Sequence, residues 1–234
     1  MTKTHSLKIR SSSDDALAAL ANASQSNTSS PASSVTRRKL KERKFYIVRK
    51  KVAHRAFGFQ LLNKKTIFDA GPHIFVPPQG KRGFRQYPES PIFLSDPKLG
   101  RIHWDFEEYC GYWFISEKTK SVLEITDSEA FEYLKCEMRS PDGTGQPVRW
   151  LCDVVRTLDA VDEEKSTVRT GVSSDGSKVY QNVGSASLSF KESVVGKCHI
   201  FRMKYFEPKV ICDGEFLQAC KLAGLSGISF FPTK

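Results

Sequence analysis

No C-x-x-C pair, no closely spaced histidines and no long apolar run occur in this sequence, and each absence removes a class of function. A membrane-spanning helix needs roughly 20 consecutive apolar residues, and no window approaches that. The five histidines (His5, His54, His73, His103 and His199) offer no i, i+4 pair on a helix, so the sequence gives a metal site little support. Six cysteines in a chain of this size, none in a C-x-x-C pair, fit neither a disulfide framework nor a zinc module and suit a reducing compartment. Cys136, Cys152, Cys212 and Cys220 sit among Leu, Val, Ile and Ala, where a free cysteine behaves as a small buried hydrophobe. Walker, G-x-S-x-G and G-x-G-x-x-G signatures are missing as well. Cys198 and His199 would point to opposite faces of a strand, which denies the thiol its neighbouring base. Cys212 before a helix start is the other conceivable nucleophile. The expectation is a protein that is not an enzyme and needs no cofactor. At the N-terminus "ALAALANA" is short and follows Asp14 and Asp15, unlike a secretory signal, so a cytoplasmic location is expected.

What the chain does have is an uneven distribution of charge. Met1 to Lys44 carries 9 Lys/Arg against 3 Asp/Glu, Phe45 to Arg101 carries 11 against 3, and Ile102 to Lys234 carries 16 against 20. A basic front half therefore joins a mildly acidic back half, which points to an anionic partner for one and a basic partner for the other. In "RRKLKERKFYIVRKK", Lys64-Lys65 and "KRGFRQY", cations lie beside Phe and Tyr. That pattern allows nucleic-acid binding as a minor reading, although the aromatics serve a core equally well.

Residues 1–44 read as a disordered Ser-rich tail ending in a polybasic linker, too poor in apolar side chains to offset ordering entropy. Such a tail also fits the secretion segment of a delivered effector, an alternative reading. Residues 45–234 read as one α+β, strand-dominated domain with an antiparallel sheet and a few short helices. "FYIVRKK", "AFGFQLL", "PIFLS", "RIHWDF", "GYWFIS", "FEYLKCEM", "VRWLCDVV", "TVRTGV", "KVYQNV", "ASLSF", "CHIFRMKYF", "KVIC" and "ISFF" are the strand candidates. The prolines from Asp69 to Pro91 predict an ordered, irregular wrap. Ser116 is placed to cap a helix that turns Val122 and Leu123 inward. Asp213 is placed to cap a second helix with Phe216, Leu217, Cys220 and Ala223 on one stripe, closed by Gly224.

"WLCDVVRTLDAVDEEKS" concentrates Asp153, Asp159, Asp162, Glu163 and Glu164 where a strand runs out into a polar turn. "DAVDEEKS" lacks the glycine and the spacing of an EF-hand loop. Asp153 lies within the strand and is suited to turn or backbone donors, and Asp159 is suited to cap the next turn. Asp162, Glu163 and Glu164 form either a docking surface or a solvated acidic loop.

Several ordered segments together resemble the bacterial Imm11 family, assigned to the immunity proteins of polymorphic toxin systems. They are Trp113-x-Ile115-Ser116, Trp150-Leu151-Cys152-Asp153-Val154-Val155, Leu158-Asp159-Ala160-Val161-Asp162, Phe201-Arg202, Ile211-Cys212-Asp213 and Gly224-Leu225-x-Gly227. The likeness is densest from Tyr112 to Phe231 and weaker from Phe45 onward. It implies a non-enzymatic binder that neutralises a cognate toxin, and it brings no catalytic residues. Asp159, Asp162, Glu163 and Glu164 are then the candidate partner contacts, since an acidic face speeds association with a basic toxin site.

Overall fold

The structure is a computed structural model that describes residues 43–52, 58–68, 82–100 and 104–234. The Ser-rich tail, the polybasic run through Glu42 and the proline-rich wrap before Arg82 lie outside the described residues.

Two mixed sheets organise the chain. The first runs, in spatial order, Ile228–Pro232 (β13), Phe45–Lys50 (β1), Phe206–Asp213 (β12), Ile200–Met203 (β11) and Thr157–Leu158 (β8). The second runs Phe59–Leu61 (β2), Ile92–Ser95 (β3), Phe131–Arg139 (β6), Arg149–Val154 (β7), Tyr112–Ser116 (β5) and Phe106–Tyr109 (β4). Neighbours pair antiparallel except β8 with β11 and β3 with β6. Arg169–Val172 (β9) and Lys178–Gln181 (β10) form a separate antiparallel hairpin. The helices are Lys64–Phe68 (α1), Glu117–Asp127 (α2), Glu192–Val195 (α3) and Gly214–Leu222 (α4), with a 3₁₀ turn at Ser128–Ala130.

Strand alternation sorts the core into layers. Along β5, Trp113 and Ile115 join one buried cluster while Tyr112 and Phe114 join another. Along β12, Val210 and Cys212 join the first cluster and Ile211 a third. Side chains of period two thus give each sheet two buried faces, and the cluster shared by both sheets also takes in α2 and α4. Phe114, Phe201 and Phe216 are wholly buried, each stabilising by about 1.5–3 kcal/mol through lost water contact.

Both helix starts behave as the sequence predicts. Thr119 N donates to Ser116 Oγ at 3.2 Å, and Val122 and Leu123 are fully buried. Phe216 N donates to Asp213 Oδ1 at 2.9 Å. Gly224, at φ +60°, ends α4 by donating its N–H to the Lys221 carbonyl at 2.9 Å. Two strand expectations differ. "ASLSF" contributes only a bridge between Phe190 and Val161. β12 begins at Phe206, ahead of the expected Lys209, because Phe206 pairs with Met203 of β11, and Pro208 is tolerated because pairing with β1 starts only at Val210.

Candidate functional site

The acidic turn grows out of β8. The chain's path there is anchored by Ala160 and Val161, both buried, with Lys191 N donating to the Ala160 carbonyl at 2.7 Å and Asp162 N to the Ser189 carbonyl at 2.9 Å. Asp159, just before this anchor, is exposed and accepts from Tyr205 Oη at 3.1 Å, so it does not cap the following turn. Asp162 does that instead. Its Oδ1 accepts from Lys165 N at 3.3 Å and its Oδ2 pairs with Lys165 Nζ at 2.9 Å.

Glu163 is braced against the β9–β10 hairpin, accepting from Lys178 Nζ and from Tyr180 Oη, the latter at 2.7 Å. The Lys165 contacts hold the Asp162 carboxyl below its ordinary value, and the Lys178 and Tyr180 hydrogen bonds do the same for Glu163. Both are ionised at neutral pH. Glu164 is exposed, and its carboxylate has no hydrogen-bond or ion-pair partner among the described residues. The turn therefore divides: Asp162 and Glu163 hold its shape, while Asp159 and Glu164 carry charge that faces solvent.

The other residues of the sequence pattern are built into the core and the sheets, and of these Phe201 shares a buried cluster with Ala160 and Val161. Asp153, fully buried on β7, accepts from Gly83 N at 2.8 Å, from Arg202 Nη2 at 3.0 Å and from the Arg82 guanidinium. Arg202 on β11 also donates to the Val154 carbonyl at 2.8 Å and the Glu207 carbonyl at 2.7 Å. Buried charge is tolerated because every Arg202 nitrogen has an acceptor. Trp113 packs edge-on against Phe106 at 4.9 Å, and Trp150 donates its indole N–H to Glu117 at 2.6 Å beneath the Lys120 ammonium. Phe201 sits against Phe190 at 5.5 Å, under the acidic turn's anchor. Gly227 has φ +86°, and a Cβ there would stand 2.2 Å from the Phe106 carbonyl oxygen.

Asp213 does more than cap α4. Its Oδ2 accepts from Arg43 Nη2 at 2.6 Å and Nε at 3.0 Å, and meets His199 Nδ1 at 2.9 Å. Arg43 also reaches the Gly196 and Cys198 carbonyls. Sequence reasoning missed Arg43, His199, Arg82, Lys178 and Tyr180 as parts of these assemblies. Their partners are up to 170 positions away, and no local pattern carries such pairings.

Burial pushes the Cys212 thiol far above its ordinary value, which makes it a poor nucleophile despite its place before α4. The His199–Asp213 pair is occupied by a helix cap and by Arg43. Among the described residues no group of three or more His, Cys, Asp or Glu is arranged to hold a metal ion, and no helix is long and apolar enough to cross a membrane.

No curated protein matches the chain significantly. The immunity protein family (Imm11) matches residues 38–234, which takes in every described element and both halves of the acidic turn. The chain belongs to the Imm11 immunity protein family.

Proposed function

We propose that this protein is a non-enzymatic, cytoplasmic immunity protein that binds a cognate toxin of a polymorphic toxin system and neutralises it stoichiometrically. The observation that carries this reading is the braced acidic turn. A stoichiometric inhibitor gains affinity when its contact groups are already ordered, because little entropy remains to be lost on binding. Here Glu163 is tied to Lys178 and Tyr180, and Asp162 to Lys165, so Asp159 and Glu164 are offered from a fixed frame. Exposed carboxylates on such a frame steer a basic surface toward it and suit a toxin whose substrate is anionic.

Residues 45–234 act as the single binding domain in this reading, with residues 1–44 as an appended tail. The test is calorimetric titration of a toxin recovered by co-purification with this protein. Reversing charge at Asp159 and Glu164, which face solvent and do not shape the turn, should weaken binding while the fold, followed by circular dichroism, is kept. Unchanged affinity would remove the turn from the interface.

A further inference from the structure

A groove of about 850 Å³ opens beside the acidic turn, between the start of β1, the end of β13 and the segment running into α3. This is within the size range of sites that enclose a ligand or a short peptide, roughly 300–1,000 Å³. Its floor is apolar and aromatic, set by Phe45, Leu188 and Phe190, the two rings lying 5.0 Å apart. Its walls are cationic. Arg43, Lys44, Lys165, Lys191 and Lys234 line it, against Asp162 and Glu192.

Two of these cations are committed: Arg43 to Asp213, and Lys165 to Asp162. Lys44 and Lys191 are exposed, and neither forms a salt bridge among the described residues, Lys191 acting on the Glu163 carboxylate only from a distance.

We infer that this groove binds an acidic segment of a partner protein, with carboxylates meeting Lys44 and Lys191 and an apolar side chain seated on the aromatic floor. Charge complementarity selects this occupant. The chain's own segment 1–42 is disfavoured by sign, since it carries 7 Lys/Arg against 3 Asp/Glu. A nucleic acid is disfavoured by the rim. Asp162 and Glu192 interrupt the basic lining, and they repel a continuous row of phosphates while leaving room for carboxylates spaced along a peptide.

The inference rests on the immunity reading only for naming the partner as the toxin. A toxin that carries both a basic site and a neighbouring acidic segment would then engage the turn and the groove together.

The test uses the full-length protein and a displayed library of random short peptides, counter-selected on the Lys44→Glu/Lys191→Glu variant. Both positions are exposed, and the milder Lys44→Gln/Lys191→Gln variant serves if charge reversal disturbs folding. Expected are peptides enriched in Asp or Glu with an aromatic or aliphatic residue, whose affinity by fluorescence polarisation falls at least about tenfold in the variant and with added salt. Enrichment of neutral or basic peptides, equal enrichment on wild type and variant, or no enrichment overturns the proposal. So does a single-stranded oligonucleotide that displaces the peptides and loses affinity in the same variant. None of these outcomes involves the toxin, so the groove can fail while the immunity reading stands, and the reverse.

Discussion

Arg202 and Asp153 meet at 3.0 Å, joining a strand of one sheet to a strand of the other inside the protein. A guanidinium and a carboxylate taken out of water repay the cost only if their remaining hydrogen-bonding positions are also filled, and here Arg82, Gly83, Val154 and Glu207 fill them. Asp153→Leu leaves the buried Arg202 guanidinium without its carboxylate and takes from Arg82 the nearer of its two acidic partners. It should destabilise by about 3–5 kcal/mol in urea titration. A loss below about 1 kcal/mol would mean that the network is dispensable.

Gly227 and Gly224 provide a graded comparison. Both have positive φ, but a Cβ at Gly224 meets nothing within 4 Å, whereas one at Gly227 strikes the Phe106 backbone and Trp104. Gly224→Ala should cost about 1 kcal/mol, the ordinary penalty of a left-handed residue. Gly227→Ala should cost about 3 kcal/mol or more in thermal unfolding, because backbone cannot move aside cheaply. Equal costs would contradict the steric account.

His199 makes stability depend on pH. The hydrogen bond to Asp213 raises the His199 pKa above the ordinary 6.5, outweighing its partial burial. Burial pushes the Asp213 carboxyl up, but His199, the Phe216 amide and Arg43 together carry it below its ordinary value. A histidine pKa raised by folding contributes stability that is complete below 6.5 and fades as pH rises through the raised value. Asp213 contributes in the opposite sense, with stability complete above its ordinary 3.8 and lost as pH falls through the lowered value. Nuclear magnetic resonance of the His199 ring should show the raised pKa, and Asp213→Asn should return it toward 6.5. An unshifted titration in the wild type would remove the pair.

Much of this architecture is legible locally. Ser116 and Asp213 announce their helices because a cap is a contact three residues long, and the Phe131–Val154 hairpin is announced by alternation on either side of the Pro141–Gly145 turn. The division into two sheets is not legible, since the clusters on either side of β5 and β12 are built from strands remote in sequence. The acidic turn shows the same limit. Composition marks its five carboxylates, yet their separate duties depend on Tyr205, Lys165, Lys178, Tyr180, Arg82 and Arg202. Asp153 and Glu164 look alike in the sequence and are opposites in the fold, one fully buried and the other exposed.

The brace on the acidic turn can be tested apart from its charge. Tyr180→Phe removes one hydrogen bond to Glu163 and leaves every carboxylate in place. It should slow toxin association little and speed dissociation about two- to tenfold, the effect of one lost hydrogen bond of roughly 0.5–1.5 kcal/mol. An unchanged dissociation rate in surface plasmon resonance would show that the frame does not matter.

The most direct measurement is calorimetric titration of a toxin recovered by co-purification with this protein, with wild type and with Asp159→Lys/Glu164→Lys, which spares the carboxylates that shape the turn. The account predicts a one-to-one complex that abolishes toxicity, with affinity at least about tenfold weaker in the variant. Absence of a complex, or toxicity undiminished when the complex forms, would contradict the claim that this protein neutralises a toxin by binding it.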